Sequence, residues 1–375
     1  MVSGERSEAR GVVGVGMFAP CRRRVGGTRG PWLSGLRISY NLLWPADSPG
    51  PNLVGAFAMT EASAIADRRR ANPWPALPLR EWQDTLDTLH RWLQVVGKTR
   101  LALAPPVNHC WHVTLYLTSR GLTTSPMPCD RRTVEVEMDF IDHRLLVRTS
   151  DGATSAMALL PRTVADFYRE YTALLDSLDV RARIWPVPSE MPDTLRFTQD
   201  HQHRSYNADY AARCWQILSD TNRVLQQFRG RFLGKCSPVH FFWGAFDLAC
   251  TRFSGRRAPP HPGGVPHLPD RIVRECYSHE CISAGWWPGN AGGPIMEPAF
   301  YSYSYPEPAG YPEATVLPRG ACYQRDLKEF VLPYETVRTA DRPDEVLLQF
   351  LQSSYEAGAN LAGWDRPALE RSRER

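Results

Sequence analysis

The sequence predicts an α+β fold in which helices pack on antiparallel sheets. Stretches with apolar residues at every third or fourth position, the period of an α-helix, are followed by stretches that alternate at every second position, the period of a β-strand. This order occurs twice along the chain. With 375 residues, 43% hydrophobic and 22% charged, the composition is typical of a globular protein with enough chain for one large or two small cores.

The first helix is predicted at residues 79–96, where large apolar side chains lie three or four positions apart. Residues 111–118 then alternate between apolar and polar side chains and predict a half-buried strand. Residues 133–140 alternate equally well and predict a second strand. The dipeptide at 142–143 is then the tip of a hairpin that returns through residues 145–149.

A helix and an edge strand complete the first half of the chain. Thr163 is a residue type that caps helix N-termini, and an apolar stripe continues from it through Leu178. Residues 184–187 predict a short strand at a sheet edge, because Pro186 and Pro188 have no amide hydrogen to donate to a neighbouring strand.

The second half contains a long helix, several strands and a closing helix. Residues 207–232 predict the long helix, and residues 344–361 predict the closing one. Residues 239–253 are mostly apolar on both faces and predict a long central strand. Three further segments have the composition of strands: residues 277–287, 299–305 and 329–334.

Two arrangements fit this order of elements. In the first, residues 71–187 and 206–375 are two similar helix–strands–helix halves, joined by a connector at residues 188–205. The strand entries at residues 106–111 and 238–243 are similar in sequence, which favours this duplication. In the second, the chain is one irregular α+β domain and the likeness is coincidental.

The positive charge of the chain is concentrated in its first seventy residues. They hold ten arginines against five acids, so they carry +5, and the rest of the chain carries +4 minus +5, which is −1. A near-neutral body lacks the basic surface that phosphate backbones require, so we expect no nucleic-acid partner. Residues 1–70 also lack periodic apolar positions, so we expect a dispensable or disordered extension and a stable fold for a chain that starts at Met59.

Hydropathy and cysteine usage predict the compartment. The sequence has no run of about 18 apolar residues and no credible secretory signal, so no membrane partner is expected. The nine cysteines are odd in number, scattered and without a CxxC pair. Such cysteines are typical of reduced thiols, and we therefore expect a cytoplasmic protein.

Several strings of residues are specific enough to compare with a known family. They are Trp74 to Pro78, Val107 to His109 with Trp111 to Tyr116, Arg120 to Ser125, Ile141 to Leu145, Gly234 to Gly244, Thr251 to Arg256, Tyr277 to Glu280, and Ser283 to Gly285 with Trp287 to Gly289. On these strings, roughly residues 74–365 resemble an uncharacterised bacterial family, the domain-of-unknown-function family 5996. The resemblance implies no activity. Cys110 and Cys129 depart from the family pattern, which argues against those thiols as family chemistry.

The second half holds the candidate acid–base groups. His240 lies on the predicted central strand, and His279 and Glu280 lie on the next one. An imidazole held by a carboxylate is the arrangement that general acid–base catalysis uses near neutral pH. Because His279 and Glu280 are neighbours on a strand, each needs a partner from elsewhere, and Asp247 is a candidate. The alternative is that these histidines are structural.

Metal and nucleophile patterns are weaker. No HExxH motif or triad spacing exists, so a metal site requires distant residues such as His203, His240 and His279 to converge, and we predict none. Cys236, which follows Lys235 at the end of a predicted helix, is the candidate nucleophile, with an ordinary buried thiol as the alternative. Serine-elbow, Walker and dinucleotide motifs are absent from the sequence.

Aromatic residues crowd the second half of the chain, and aromatic walls with a few polar groups are typical of a small-molecule pocket. Its predicted ligand-positioning residues are His112, Trp243, Asp247 and Arg252, with a large aromatic core as the alternative reading of the same residues. Two functions remain open. One is an enzyme that acts on a small anionic or aromatic metabolite, and the other is a non-catalytic small-molecule-binding module. The cofactor and the oligomeric state stay unknown at this point.

Overall fold

The computed structural model describes residues 74–265 and 267–372. Within them the chain forms seven α-helices and two antiparallel sheets, which confirms the α+β class. The expectations for residues 1–70, including the stability of a chain that starts at Met59, lie outside the described residues. In the part of the chain that is described, no helix combines the length and the apolar character that spanning a membrane requires.

Side chains at the N-cap position start three of the helices in the described residues. The helices are α1 (Leu79–Leu103), α2 (Val164–Ser177), α3 (Ala208–Gly230), α4 (Asp270–Cys276), α5 (Tyr334–Arg338), α6 (Pro343–Leu361) and α7 (Arg366–Leu369). The Thr163 hydroxyl accepts from the Asp166 amide at the start of α2, which confirms the predicted cap. The Asn207 side chain does the same for Tyr210 at the start of α3, 3.2 Å away.

The first sheet follows from a series of short hairpins. Its strands are β1 (Tyr116–Leu117), β2 (Gly121–Thr123), β3 (Met127–Cys129), β4 (Arg132–Asp139), β5 (Arg144–Thr149) and β6 (Thr154–Ala158). Their order is β1-β2-β4-β5-β6, with β3 also paired to β4. Asp139 pairs with Arg144 around a turn in which His143 has a φ of 46°, so the predicted hairpin is confirmed.

The second sheet carries the candidate site. Its strands are β7 (His240–Phe242), β8 (Asp247–Arg257), β9 (His279–Trp287), β10 (Ala299–Tyr305), β11 (Cys322–Gln324) and β12 (Glu329–Pro333). They lie in the order β11-β12-β10-β9-β8-β7, and every neighbouring pair is antiparallel. Helices α3 and α6 cover one face of this sheet.

Three predicted strands differ from the structure. Of residues 111–118 only Tyr116 and Leu117 are in a strand, because His109 and Cys110 each have a φ of 58° and turn the chain beforehand. The segment at residues 239–253 forms two antiparallel strands, because the chain reverses in a turn at residues 243–246, in which Phe246 has a φ of 59°. Residues 184–187 are irregular, so the expected edge strand is absent there.

A buried polar stripe on α1 fixes the segment that follows the first sheet. Gln94 accepts from the Ser189 amide at 2.7 Å and donates to its carbonyl at 2.8 Å, which imitates strand pairing. Lys98 donates to the Ser189 hydroxyl at 2.7 Å. Arg91, which is only 4% exposed, pairs with Asp200 at 3.2 Å. Helix α1 therefore holds residues 188–205 in place through buried side chains.

Candidate functional site

Strand alternation gives the second sheet one face for the core and one for a cavity. On β8, Leu248, Cys250 and Arg252 point to α3 and α6, and the residues between them point the other way. The opposite face lines a cavity of about 450 Å³. The sheet residues that line it are Phe242, Asp247, Ala249, Thr251, Phe253, Cys281, Ser283, Trp287, Ala299, Tyr301, Tyr303 and Glu329.

The far wall of the cavity comes from loops and short helices. The turn at residues 109–111 packs on α4 and carries His109, Cys110 and Trp111 into the wall. The segment held by α1 adds Glu190. The remaining wall residues are apolar except for Cys276 and Tyr277. The apolar ones are Val113, Ala245, Leu268, Ile272, Val273, Pro294, Ile295 and Leu327.

Asp247 and Tyr301 form the central polar contact of the cavity. The Tyr301 hydroxyl donates to Asp247 Oδ2 at 2.5 Å, across the intervening strand β9. Gly285 on β9 makes this contact possible, because a Cβ atom there would lie 2.6 Å from the Tyr301 hydroxyl and 2.2 Å from the Leu248 carbonyl oxygen. The absence of a side chain at residue 285 therefore lets the tyrosine reach the carboxyl group.

Two carboxyl groups in the cavity are held near neutrality. Burial raises the pKa of Asp247 to about 7, even though the Tyr301 hydrogen bond lowers it, and the charge of Glu190 adds to the rise. Burial also raises the pKa of Glu329 to about 7, and the nearby charge of Asp247 contributes. At neutral pH each group is therefore part protonated and can either give or accept a proton.

Glu190 is the third carboxyl group that lines the cavity. Its oxygen lies against Gly244 in the β7–β8 turn, where a Cβ atom would be 2.1 Å away. Surrounding protein raises the pKa of Glu190, whereas the charge of Lys98 lowers it in part. Glu190 therefore has a cation close by, whereas no lysine or arginine in the described residues forms an ion pair with Asp247 or Glu329.

His109 is held as a neutral ring in the wall of the cavity. Its Nε2 accepts from Lys235 Nζ at 2.7 Å, and its Nδ1 lies 3.0 Å from the Cys276 carbonyl oxygen. An ammonium group can only donate and a carbonyl can only accept, so these partners place the proton on Nδ1. Burial, followed by the charge of Lys235, lowers the pKa of His109.

Two pairs of polar groups complete the wall. The hydroxyls of Tyr277 and Tyr303 are 3.0 Å apart, and burial raises the pKa of both. Hydrogen bonding between the thiols lowers the pKa of Cys110 and raises that of Cys276. Cys236, the candidate nucleophile, lies elsewhere, with its sulfur 3.6 Å from that of Cys250; neither of these two residues lines the cavity.

The expected convergence of His240 and His279 is not found. His240 pairs with Ala249, which pairs with Gly285. His279 is six positions further along β9, which corresponds to about 20 Å at the rise of a strand. His240 is fully buried behind Trp111 and Phe242, and neither of its ring nitrogens has a hydrogen-bond partner in the described residues.

His279 and Glu280 lie beyond one end of the cavity. The His279 ring is 5.8 Å from the His109 ring, and its Nδ1 is 3.1 Å from the Ser278 hydroxyl. Glu280 pairs with Arg256 at 2.7 Å and accepts from Ser254 at 2.9 Å. Neither residue lines the cavity, although Tyr277 before them and Cys281 after them do.

Of the four predicted ligand-positioning residues, only Asp247 lines the cavity. Arg252 is fully buried on the opposite face of the sheet, with its guanidinium 3.4 Å from the Phe228 ring and 4.3 Å from the Tyr355 ring. Trp243 donates to the Val113 carbonyl at 2.6 Å and lies against α1. His112 Nδ1 lies near the backbone of Val107, outside the cavity.

Sequence reasoning missed Glu329 and Glu190 and placed Tyr301 only among the aromatic residues. The alternation of β10 and β12 puts Tyr301 and Glu329 on the same face, but only the strand order shows that this face is the one that carries Asp247. Glu190 follows from no local pattern, since the buried contacts of α1 place it.

Comparison with known proteins adds a family and no chemistry. Among residues 74–265 and 267–372, no group of three His, Cys, Asp or Glu side chains is arranged to hold a metal ion. The model of a family of unknown function, DUF5996, matches residues 74–371. No curated protein and no solved structure matches the chain.

Proposed function

We propose that this chain, which belongs to the DUF5996 family of unknown function, binds a small, largely apolar molecule in the cavity. The observation that carries this proposal is the presence of two carboxyl groups, Asp247 and Glu329, with pKa values of about 7 in an aromatic-walled cavity. Strongly shifted carboxyl groups in a concave site are typical of functional sites.

The energetics of burial support a ligand site over a structural core. A buried carboxyl group without a cation costs stability, and protein cores rarely keep one. Asp247 and Glu329 are half-buried and so have part of this cost, and Tyr301 donates a hydrogen bond to Asp247. The cavity volume of about 450 Å³ is also within the usual range for small-molecule sites, which is roughly 300 to 1,000 Å³.

Acid–base catalysis is the second candidate function. It is favoured by the same two pKa values, because a catalytic group works best when its pKa is near the working pH. In this case Asp247, oriented by Tyr301, would exchange a proton with the ligand, and Glu329 would be its proton partner. His240, His279 and Glu280 have no part in this version, since none of them lines the cavity.

Two further expectations from the sequence belong to this proposal. The free thiols at eight cysteines of the described residues support a cytoplasmic location. The near-neutral charge of the chain after residue 70 supports a small-molecule partner over a nucleic acid.

The proposal is tested by native mass spectrometry of the protein purified from its own cells, followed by identification of any bound compound. We expect one small molecule per chain. The change Ala249→Phe fills the cavity from β8 and should remove the compound, whereas Ala156→Phe on exposed β6 should retain it. Equal occupancy in both variants, with both folded, would refute the proposed site.

The choice between the two functions needs the compound that this experiment identifies. A binding module should release it unchanged after prolonged incubation. An enzyme should convert it, and Asp247→Asn should then lower kcat at least a hundredfold, the usual lower contribution of a general acid or base. Conversion at the wild-type rate by Asp247→Asn would exclude the catalytic version.

A further inference from the structure

The charges and aromatic rings of the cavity indicate which class of ligand it accepts. We propose that the ligand carries an amine or quaternary ammonium cation on an apolar body, and that the cation lies between Asp247, Glu329 and the neighbouring tyrosine rings. This inference deepens the proposed function and rests on it.

The first argument is the sign of the lining charges. Among residues 74–265 and 267–372, the cavity is lined by three carboxyl groups, Glu190, Asp247 and Glu329, and by no lysine or arginine. Two lysines contact lining residues without lining the cavity themselves: Lys98 lies near Glu190, and Lys235 donates to His109. Within the described part of the chain, Asp247 and Glu329 thus form no ion pair with a lysine or arginine. A ligand cation would supply the missing charge, because an opposite charge within a few ångströms stabilises the ionised form of a carboxyl group.

The second argument is the aromatic wall. The rings of Tyr301 and Tyr303 are stacked at 14° with centroids 6.1 Å apart, and Tyr277 lies 6.2 Å from Tyr303. Trp111 and Trp287 line other parts of the same cavity. Faces of aromatic rings attract cations, and ammonium groups are commonly enclosed by such rings. The same faces and the three carboxyl groups would repel an anion, which argues against the anionic ligand expected from the sequence.

Cation binding is linked to proton release. Other titratable groups also line the cavity around Asp247 and Glu329. They are Glu190 on the connector, Tyr301 and Tyr303 on β10, Cys281 on β9, Cys276 at the end of α4, Tyr277 after it, and His109 and Cys110 opposite the sheet. Asp247 and Glu329 themselves have pKa values near 7, so both are largely protonated at pH 6. A ligand with a permanent charge favours their ionised form. Its affinity should therefore rise with pH through 7, roughly tenfold between pH 6 and 8 for each carboxyl group that ionises.

The experiment compares two probes of the same shape, phenyltrimethylammonium and tert-butylbenzene, which differ in charge. Titration calorimetry with the full chain at pH 8 should show that the cation binds at least tenfold more tightly than the neutral probe. At pH 6 this preference should fall by a factor of ten or more, and the neutral probe should bind equally at both values. The double change Asp247→Asn with Glu329→Gln should abolish the preference, and Glu329→Gln alone should reduce it. Glu313→Gln, an exposed residue paired with Arg325, is the matched control and should leave it unchanged.

The outcomes separate this inference from the proposed function. If the neutral probe binds as tightly as the cation, or if the cation preference survives the double change, the inference is overturned while the cavity remains a ligand site. Failure of both probes to bind at millimolar concentration also overturns it. The proposed function is judged separately by native mass spectrometry, which requires no assumption about ligand charge.

Discussion

At the scale of single residues, Gly285 decides whether the two polar groups of the cavity can meet. Tyr301 on β10 reaches Asp247 on β8 only because β9 has no side chain between them. The backbone at residue 285 is that of an ordinary strand residue and does not itself require glycine. Glycine is needed there because of the close approach of Tyr301 and of the Leu248 carbonyl. The absence of a side chain on β9 therefore allows a hydrogen bond between β8 and β10.

Gly285→Ala should lower the free energy of unfolding by about 1 to 3 kcal/mol, the usual cost of overpacking. The new Cβ atom would lie 2.2 Å from the Leu248 carbonyl oxygen, which is backbone and cannot turn away. Gly230→Ala, at the end of α3, is the matched control, because no atom lies within 4 Å of its added Cβ. Urea denaturation measures both. A Gly285→Ala protein as stable as wild type would show that Gly285 does not limit the packing.

His240 illustrates the opposite situation, a buried polar residue with no visible use. Its environment of Trp111, Tyr116 and Phe242 lowers its pKa to about 3 by burial, with the charges of Arg100 and Arg229 adding to the effect. The ring is therefore neutral in the folded protein at all ordinary pH values. In the unfolded chain the histidine pKa is about 6.5, so unfolding is accompanied by proton uptake between pH 6.5 and 3.

The linkage predicts acid destabilisation that depends on His240. Because its folded pKa is below its unfolded pKa, stability is complete above about pH 6.5 and falls as the pH decreases, by roughly 1.4 kcal/mol per pH unit for one histidine. His240→Phe should remove this contribution and flatten the dependence between pH 6 and 4, as measured by urea denaturation at several pH values. Parallel curves for the variant and the wild type would contradict the assignment of a neutral, sealed ring.

Sequence alone reaches these residue-level facts only in part. Asp247 was predicted as a ligand-positioning residue, and it lines the cavity. Arg252 was predicted with it, but odd and even positions of a strand face opposite ways, and Arg252 is five positions away on the core side. The mistake came from treating the aromatic second half as one surface when the sheet divides it into two.

At the scale of elements, α1 has a role beyond its apolar stripe. Its buried residues include Arg91, Gln94 and Lys98, which an amphipathic pattern would place in solvent. These side chains hold the irregular segment at residues 188–205, in which Ser189 precedes the cavity residue Glu190. A rigid helix thus positions a loop residue that has no regular structure of its own.

Gln94→Ala should release this segment locally. The Ser189 amide, which now donates to Gln94 at 2.7 Å, should exchange its hydrogen at least tenfold faster, because a lost buried hydrogen bond costs about 1 to 3 kcal/mol. Gln83→Ala is the control on the same helix, since the Gln83 amide donates to Asp87 one turn away and not to the connector. Hydrogen exchange followed by mass spectrometry reads both variants. Unchanged exchange at Ser189 would mean that the connector is held by other contacts.

Element prediction succeeded where periodicity was long and failed at turns. Helices α2, α3 and α6 lie within one or two residues of their predicted bounds, because their apolar stripes are continuous and because a side-chain cap starts α2 and α3 and a proline starts α6. The turns at His109 and Phe246 were missed because non-glycine residues adopt positive φ there. Neither residue type is typical of a turn, so the apolar run at residues 239–253 was read as one strand and the strand at residues 111–118 was predicted too long.

At the scale of the whole molecule, the cavity requires distant parts of the chain. The turn at residues 109–111 follows α1, and Glu190 follows the first sheet. Asp247, Tyr301 and Glu329 lie on the second sheet. The Leu115 and Phe241 backbones exchange hydrogen bonds of 2.9 and 2.8 Å, which ties the start of the first sheet to the edge of the second. The duplication of the chain into two similar halves stays a prediction.

The most direct test of this account is a carbon-13 NMR titration of the side-chain carboxyl groups in the ligand-free protein. We expect two carboxyl groups with midpoints of about 7, one of which disappears in Asp247→Asn and the other in Glu329→Gln. In Tyr301→Phe the midpoint of Asp247 should move higher, because the hydrogen bond that lowers its pKa is lost. If every carboxyl group instead titrates below pH 5, the cavity does not hold its acids near neutrality, and the proposed site is contradicted.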